Sequence, residues 1–139
     1  MIWLGSLPTT EFISPQAESW LDYPRERWLE EPGFFFDIIH ADDRERVWEA
    51  HLRAERDDSP FDQEFRLLCA DGRTEWVRCV DAVVRDDEEG SGRRIGFMLD
   101  VTSAKNAAHW KPSLLIIDAV SSADLIDRFT ASTLAPSRA

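Results

Sequence analysis

The stretch from Phe61 to Val101 constrains this chain more than any other. Phe61 to Cys69, Thr74 to Arg85 and Arg93 to Val101 alternate with period two, as half-buried strands do. The first two runs flank Ala70-Asp71-Gly72-Arg73, and an Asp-Gly pair between alternating runs is a strong hairpin signal. Three such runs in succession predict an antiparallel meander. With Asp71-Gly72 as a two-residue loop, Leu67 faces Trp76, Phe65 faces Arg78 and Gln63 faces Val80. Cys69 then pairs with Thr74 and Cys79 falls opposite Glu64 on the other face, which argues against a disulfide between them. On this register Phe65, Leu67 and Trp76, with Ile95, Phe97 and Leu99 of the last run, form one apolar face.

That face needs a cover, and the first half of the chain supplies it. Residues 1 to 13 predict two short strands about Leu7-Pro8-Thr9-Thr10. Ser14 as cap and Pro15 at the first helical position then predict a helix, with Ala17, Trp20 and Leu21 on one side. A second short turn, Pro24 to Leu29, ends at Pro32-Gly33. The run Phe34 to Ile39 is too short for periodicity to separate strand from helix. From Asp43 to about Glu55, Val47, Trp48, His51 and Leu52 recur at three- and four-residue steps, which predicts an amphipathic helix. Trp20, Val47, Trp48 and Leu52 are expected to meet the apolar sheet face.

Sixteen Lys and Arg against 27 Asp and Glu give a net charge of −11. Such a field repels phosphate backbones and anionic lipid surfaces, so nucleic-acid binding is not expected. No segment approaches the roughly 18 apolar residues of a membrane span, and the opening residues lack the basic start of a signal peptide. A cytoplasmic protein with no membrane insertion is expected. Two cysteines make no disulfide framework and fall short of a structural zinc site.

His40-Ala41-Asp42-Asp43-Arg44-Glu45 could begin a metal site or a helix. The helix reading has a mechanism: Asp42 accepts from the Glu45 amide and the Glu45 carboxylate returns to the Asp42 amide, a capping box. No second His stands one turn on, so no metal site is expected. His51, on the apolar stripe, is either a core histidine or an axial ligand to haem. Paired carboxylates lie only at element edges, where solvated charge is ordinary, and no phosphate loop, nucleophile elbow or CxxC occurs. Catalysis is not expected.

Taken in order, Phe12-Ile13-Ser14-Pro15-Gln16, His40-Ala41-Asp42-Asp43-Arg44, Phe65-Arg66-Leu67, Ala70-Asp71-Gly72-Arg73, Trp76-Val77-Arg78 and Asp100-Val101-Thr102 resemble a PAS domain with its C-terminal PAC motif. The resemblance covers about residues 1 to 105. It implies an α+β fold, a five-stranded antiparallel sheet of order 2-1-5-4-3 with short helices packed on one face around a small pocket. It also implies a non-catalytic sensor or dimerisation module of the kind found in histidine kinases, cyclic-dinucleotide enzymes and transcription regulators. Asp100 and Thr102 match the family's junction with its output element. The Asn-Cys-Arg motif of flavin-adduct photoreceptors is missing, Asp22 stands where the family often has Gly, and Ala41 replaces the usual Pro.

The expectation is therefore a sensory or interaction domain of bacterial signal transduction over residues 1–105, with a linker and appendage over 106–139. Candidate pocket residues are Trp20, Val47, His51, Phe65, Leu67, Trp76, Phe97 and Leu99. No cofactor is required by the sequence; the alternative is a haem-binding redox or gas sensor using His51. Expected partners are a second copy of the chain and a histidine kinase or other signalling effector. The apolar segment Leu114 to Phe129 is expected to dock on the sheet or on a second protomer.

Overall fold

The computed structural model describes residues 1–85 and 92–107, and Met1–Ala107 forms one compact unit. Strands β1 (Ile2–Ser6) and β2 (Thr9–Ile13) form the expected N-terminal hairpin. Four helices follow: α1 (Gln16–Leu21), α2 (Arg25–Glu30), α3 (Phe34–Asp37) and α4 (Ala41–Asp57). The meander is β3 (Phe61–Leu68), β4 (Thr74–Arg85) and β5 (Gly92–Asp100), after which α5 (Thr102–Asn106) begins. All strands join one antiparallel sheet in the order β2-β1-β5-β4-β3, because β1 lies along β5 as well as β2. The expected segment Leu114 to Phe129 lies outside the described residues.

The meander is in place, but its register differs from the expected one by a single residue. Leu67 pairs with Glu75, Phe65 with Val77, Gln63 with Cys79 and Arg66 with Trp76. The cause is the turn. Ala70-Asp71-Gly72 forms a three-residue loop, in which Gly72 N–H donates to Cys69 O at 3.0 Å and Cys69 N–H to Arg73 O at 2.8 Å. Gly72 closes it in the left-handed region at φ 88°, a conformation that costs glycine nothing. Because side chains alternate with period two, a one-residue slip moves every side chain of β4 to the other face.

Phe65, Leu67, Val77, Cys79 and Met98 therefore face the helices and are buried. Trp76 and Phe97 do share a face, as expected, together with Val80, Ile95 and Leu99, but it is the face turned away from the helices. Cys69 and Cys79 are both buried on the inner side and both free. Six residue positions separate their cross-strand partners, roughly 20 Å along a strand, so no disulfide can form.

Helix α4 starts at Ala41, and its cap is His40, whose Nδ1 accepts from Asp42 N–H at 3.2 Å. The capping box on Asp42 does not form. Residues 38–40 run beside β3, with Leu68 N–H donating to Ile38 O and His40 N–H to Arg66 O, so the chain turns into helix immediately after His40. Asp43 leaves the helix end altogether and reaches β3. The stripe that packs inward is Asp43, Val47, His51 and Ala54, whereas Trp48 and Leu52 are 43% and 48% exposed, contrary to expectation. Ser14 likewise does not cap α1; its Oγ accepts from Ile2 N–H at 2.9 Å and ties the helix entry to β1.

Candidate functional site

Between α4 and the inner sheet face the interior is filled by rings. Trp28 meets Phe34 edge-on at 5.1 Å, Phe35 meets Phe65 at 5.9 Å, and His51 stands between Phe36 at 5.8 Å and Phe61 at 5.4 Å. Such edge-to-face contacts satisfy the ring quadrupoles and hold the rings in fixed orientations. One cavity among the described residues, bounded by Trp3, Leu7, Thr10, Ile13, Trp28, Phe35 and Met98, has a volume of about 10 Å³. That is room for about one water.

One side of this interior is polar. Arg94 of β5 and Asp81 of β4 project from the inner face, where their side chains are 2% and 1% exposed. Arg94 Nε donates to Asp81 Oδ1 at 2.5 Å, one Nη to Ser59 O at 2.7 Å, and the other to Glu55 Oε1 at 3.4 Å. Burial raises the Asp81 carboxyl to about 6, against the opposing pull of Arg94. Burial also drives the His51 imidazole down to about 4, with the Arg94 charge adding to it, so His51 is neutral. Its Nε2 has no hydrogen-bond partner, and Glu55 Oε1 is 3.7 Å away. Haem ligation fits this setting poorly. Phe36 and Phe61 flank the imidazole, and Glu55 stands off its Nε2, leaving no open side for a macrocycle. Among the described residues no three His, Cys, Asp or Glu are grouped to hold a metal ion.

At the far end of β5 the chain is fastened before it enters α5. Asp100 Oδ1 accepts from Thr102 N–H at 2.9 Å. Thr102 Oγ1 accepts from Trp76 N–H at 2.9 Å and donates to Glu75 Oε2 at 2.6 Å, while Val101 N–H donates to Trp76 O. Two cations approach the Trp76 ring, Arg66 Cζ at 5.3 Å and Lys105 Nζ at 5.1 Å from its centroid. Lys105 also pairs with Glu64. Arg66 is in turn gripped by Asp43 through two side-chain hydrogen bonds and one backbone hydrogen bond, each 2.9 Å. A continuous set of contacts thus runs from the start of α4 through Arg66 and Trp76 to α5.

Of the expected pocket residues, Val47, His51, Phe65 and Leu67 lie in the interior and Trp20 is half-buried at its margin. Trp76, Phe97 and Leu99 do not belong there; the register places them on the outer face. Asp100 and Thr102 sit where the last strand meets α5. Sequence reasoning missed Glu75, Arg66 and Lys105 at that junction, and the Asp81–Arg94 pair inside. The missed signal for the pair is its place in an otherwise apolar alternation, Val77, Cys79, Asp81, Val83, which becomes visible once the register is right.

The PAS fold family model matches residues 10–98. The chain is similar to the N-terminal domain of a diguanylate cyclase with PAS/PAC sensor from Marinobacter aquaeolei, at 28% identity and a TM-score of 0.67, covering 76% of this chain and 97% of that one. It is similar in fold to a domain of a putative light and redox sensing histidine kinase from Haloarcula marismortui, at 23% identity and TM-score 0.62, covering 73% and 88%. A sensory box histidine kinase/response regulator from Burkholderia thailandensis matches at 20% identity and TM-score 0.57, covering 92% and 89%. No curated protein matches the chain.

Proposed function

The chain belongs to the PAS fold family, and from that premise we propose that it is a cytoplasmic sensor domain that binds a small molecule in its interior, self-associates, and reports to a signalling effector. The observation that carries this reading is the chain of contacts from Asp43 to Thr102. A ligand that shifts α4 changes the grip of Asp43 on Arg66, then the Arg66–Trp76–Lys105 contacts, and so the attachment of α5. No catalytic step is part of the proposal.

The outer sheet face supports self-association. Trp76, Val80, Ile95 and Phe97 are half-buried there and Phe12 and Leu99 are exposed, an apolar surface of the kind that marks an interaction site. We assign it to a second copy of the chain. Native mass spectrometry of the full chain tests both halves of the proposal. A dimer with a bound small molecule is the expected result, and Phe97→Glu should give monomer. A ligand-free monomer at all concentrations, unchanged on removal of residues 112–139, would overturn it.

A further inference from the structure

The outward side of α4 carries an ordered pattern that the fold leaves largely unpartnered. Trp48 and Leu52 stand one turn apart along one edge of it and are 43% and 48% exposed. Glu49 and Arg53 stand one turn apart along the other edge, and Glu45 and Arg56, about three turns from each other, lie on the line between. Among the described residues Glu45, Glu49 and Arg53 form no ion pair, and Arg56 has only its exposed neighbour Asp57, at 3.0 Å. On this side the acids come first and the bases follow, with an apolar edge running alongside.

Such a surface is complementary to itself when two copies meet antiparallel. A twofold axis perpendicular to both helices, midway between Glu49 and Leu52, sets Glu45 opposite the partner's Arg56 and Glu49 beside the partner's Arg53. Trp48 then lies against the partner's Leu52. The axis keeps each edge on its own side, so apolar meets apolar, acid meets base, and every contact occurs twice. A parallel alignment would set Glu45 on Glu45 and Arg56 on Arg56. Beside the N-terminal half of α4 lies a cleft of about 570 Å³, with Phe36, Asp37, Arg44, Glu45 and Trp48 among its walls. Phe36 meets Trp48 edge-on at 4.7 Å and widens the apolar edge. Arg44 is occupied with the backbone, donating to Asp37 O at 3.2 Å and Ile39 O at 3.0 Å, whereas the Asp37 and Glu45 carboxylates have no ion pair among the described residues. The antiparallel arrangement lays the second half of the partner's helix over this cleft. We infer that the outward side of α4 is a contact with a second copy of the chain, the two helices antiparallel and Arg56 of each entering the cleft beside Glu45 of the other.

One helix side is a small surface, whereas stable interfaces bury about 800 Å² per partner. The contact is therefore weak, and it is distinct from the one assigned to the outer sheet face. Where both operate, two kinds of twofold contact join dimers into larger assemblies.

Sedimentation equilibrium of the full chain carrying Phe97→Glu, which disables the sheet face, isolates the α4 contact. A monomer–dimer equilibrium with a dissociation constant of roughly 0.1 to 1 mM is expected. Adding Glu45→Arg or Arg56→Glu should weaken it at least roughly tenfold, since each reversal sets like charges together twice, and the two reversals together should restore it. In the chain that keeps Phe97, the single reversals should remove only the step beyond the dimer. A Phe97→Glu chain that stays monomeric throughout that range, or a double reversal as weak as either single one, overturns the inference. The sheet-face reading is decided separately, by whether the unsubstituted chain dimerises more tightly than Phe97→Glu.

Discussion

Each face of the sheet carries apolar side chains and an arginine–aspartate pair, yet the two are held in different ways. On the inner face Phe65, Leu67, Val77, Cys79 and Met98 close against helices, and Arg94 and Asp81 are sealed among them. On the outer face Leu99 and Phe12 remain 38% and 44% exposed, and Arg78 pairs with Asp62 at the surface. The lesson is that the same residue types do different work according to solvent. The inner pair is an expensive, fixed element that helps define the interior; the outer pair is screened, and its apolar neighbours remain free to meet a partner.

The comparison breaks most easily at the two ion pairs. Arg94→Met should destabilise by about 3 to 5 kcal/mol, because a buried Asp81 is left without its counter-charge. Arg78→Met should cost no more than about 1 kcal/mol. Urea unfolding of the two variants measures the difference, and equal losses would abolish the distinction between the faces. Next in size, Leu67→Ala should cost about 3 kcal/mol by opening a cavity in the packed interior, while Leu99→Ala should stay below about 1 kcal/mol.

A third prediction concerns the clamp that joins the helical side to the outer face. Its hydrogen bonds from Arg66 hold the Asp43 carboxyl down at about 2, against an ordinary 3.8. A depressed folded pKa means that the stabilisation is complete above the unfolded value and is lost as pH falls through the folded one. Asp43 should therefore contribute about 2 kcal/mol at neutral pH, lost between pH 4 and 2. Asp43→Asn should flatten that part of the acid unfolding curve. A smaller effect than that of Asp43 should be at the turn: Gly72→Ala, forced to φ 88°, should cost about 1 kcal/mol. Heat-induced unfolding should show a lower midpoint with the register intact.

Much of the architecture was legible from local pattern. The alternation of Phe61 to Val101 and the turn at Ala70 to Arg73 placed the meander, and the three- and four-residue spacing from Val47 to Leu52 placed α4, because periodicity reports which element a segment can form. Its orientation was less legible. Val47 and Trp48 are adjacent, and so are His51 and Leu52, so the stripe can be drawn through either member of each pair. The anchoring of Asp43 on Arg66 is what turns Val47 and His51 inward and leaves Trp48 and Leu52 outside. Asp43 itself read as helix-end charge, since nothing local tells that β3 offers a guanidinium and a backbone amide beside it.

By itself, then, the sequence determined the order of the elements, the meander, and a family resemblance that the PAS fold match bears out. Only the tertiary structure decided which side of the sheet became the interior. Trp76, Val80, Phe97 and Leu99 make as good an apolar row as Val77, Cys79 and Met98. The two rows are offset by one residue, and a loop of three residues rather than two sets that offset. Local composition is nearly indifferent to this choice, whereas pairing across the turn and closure of the helices over one face are not.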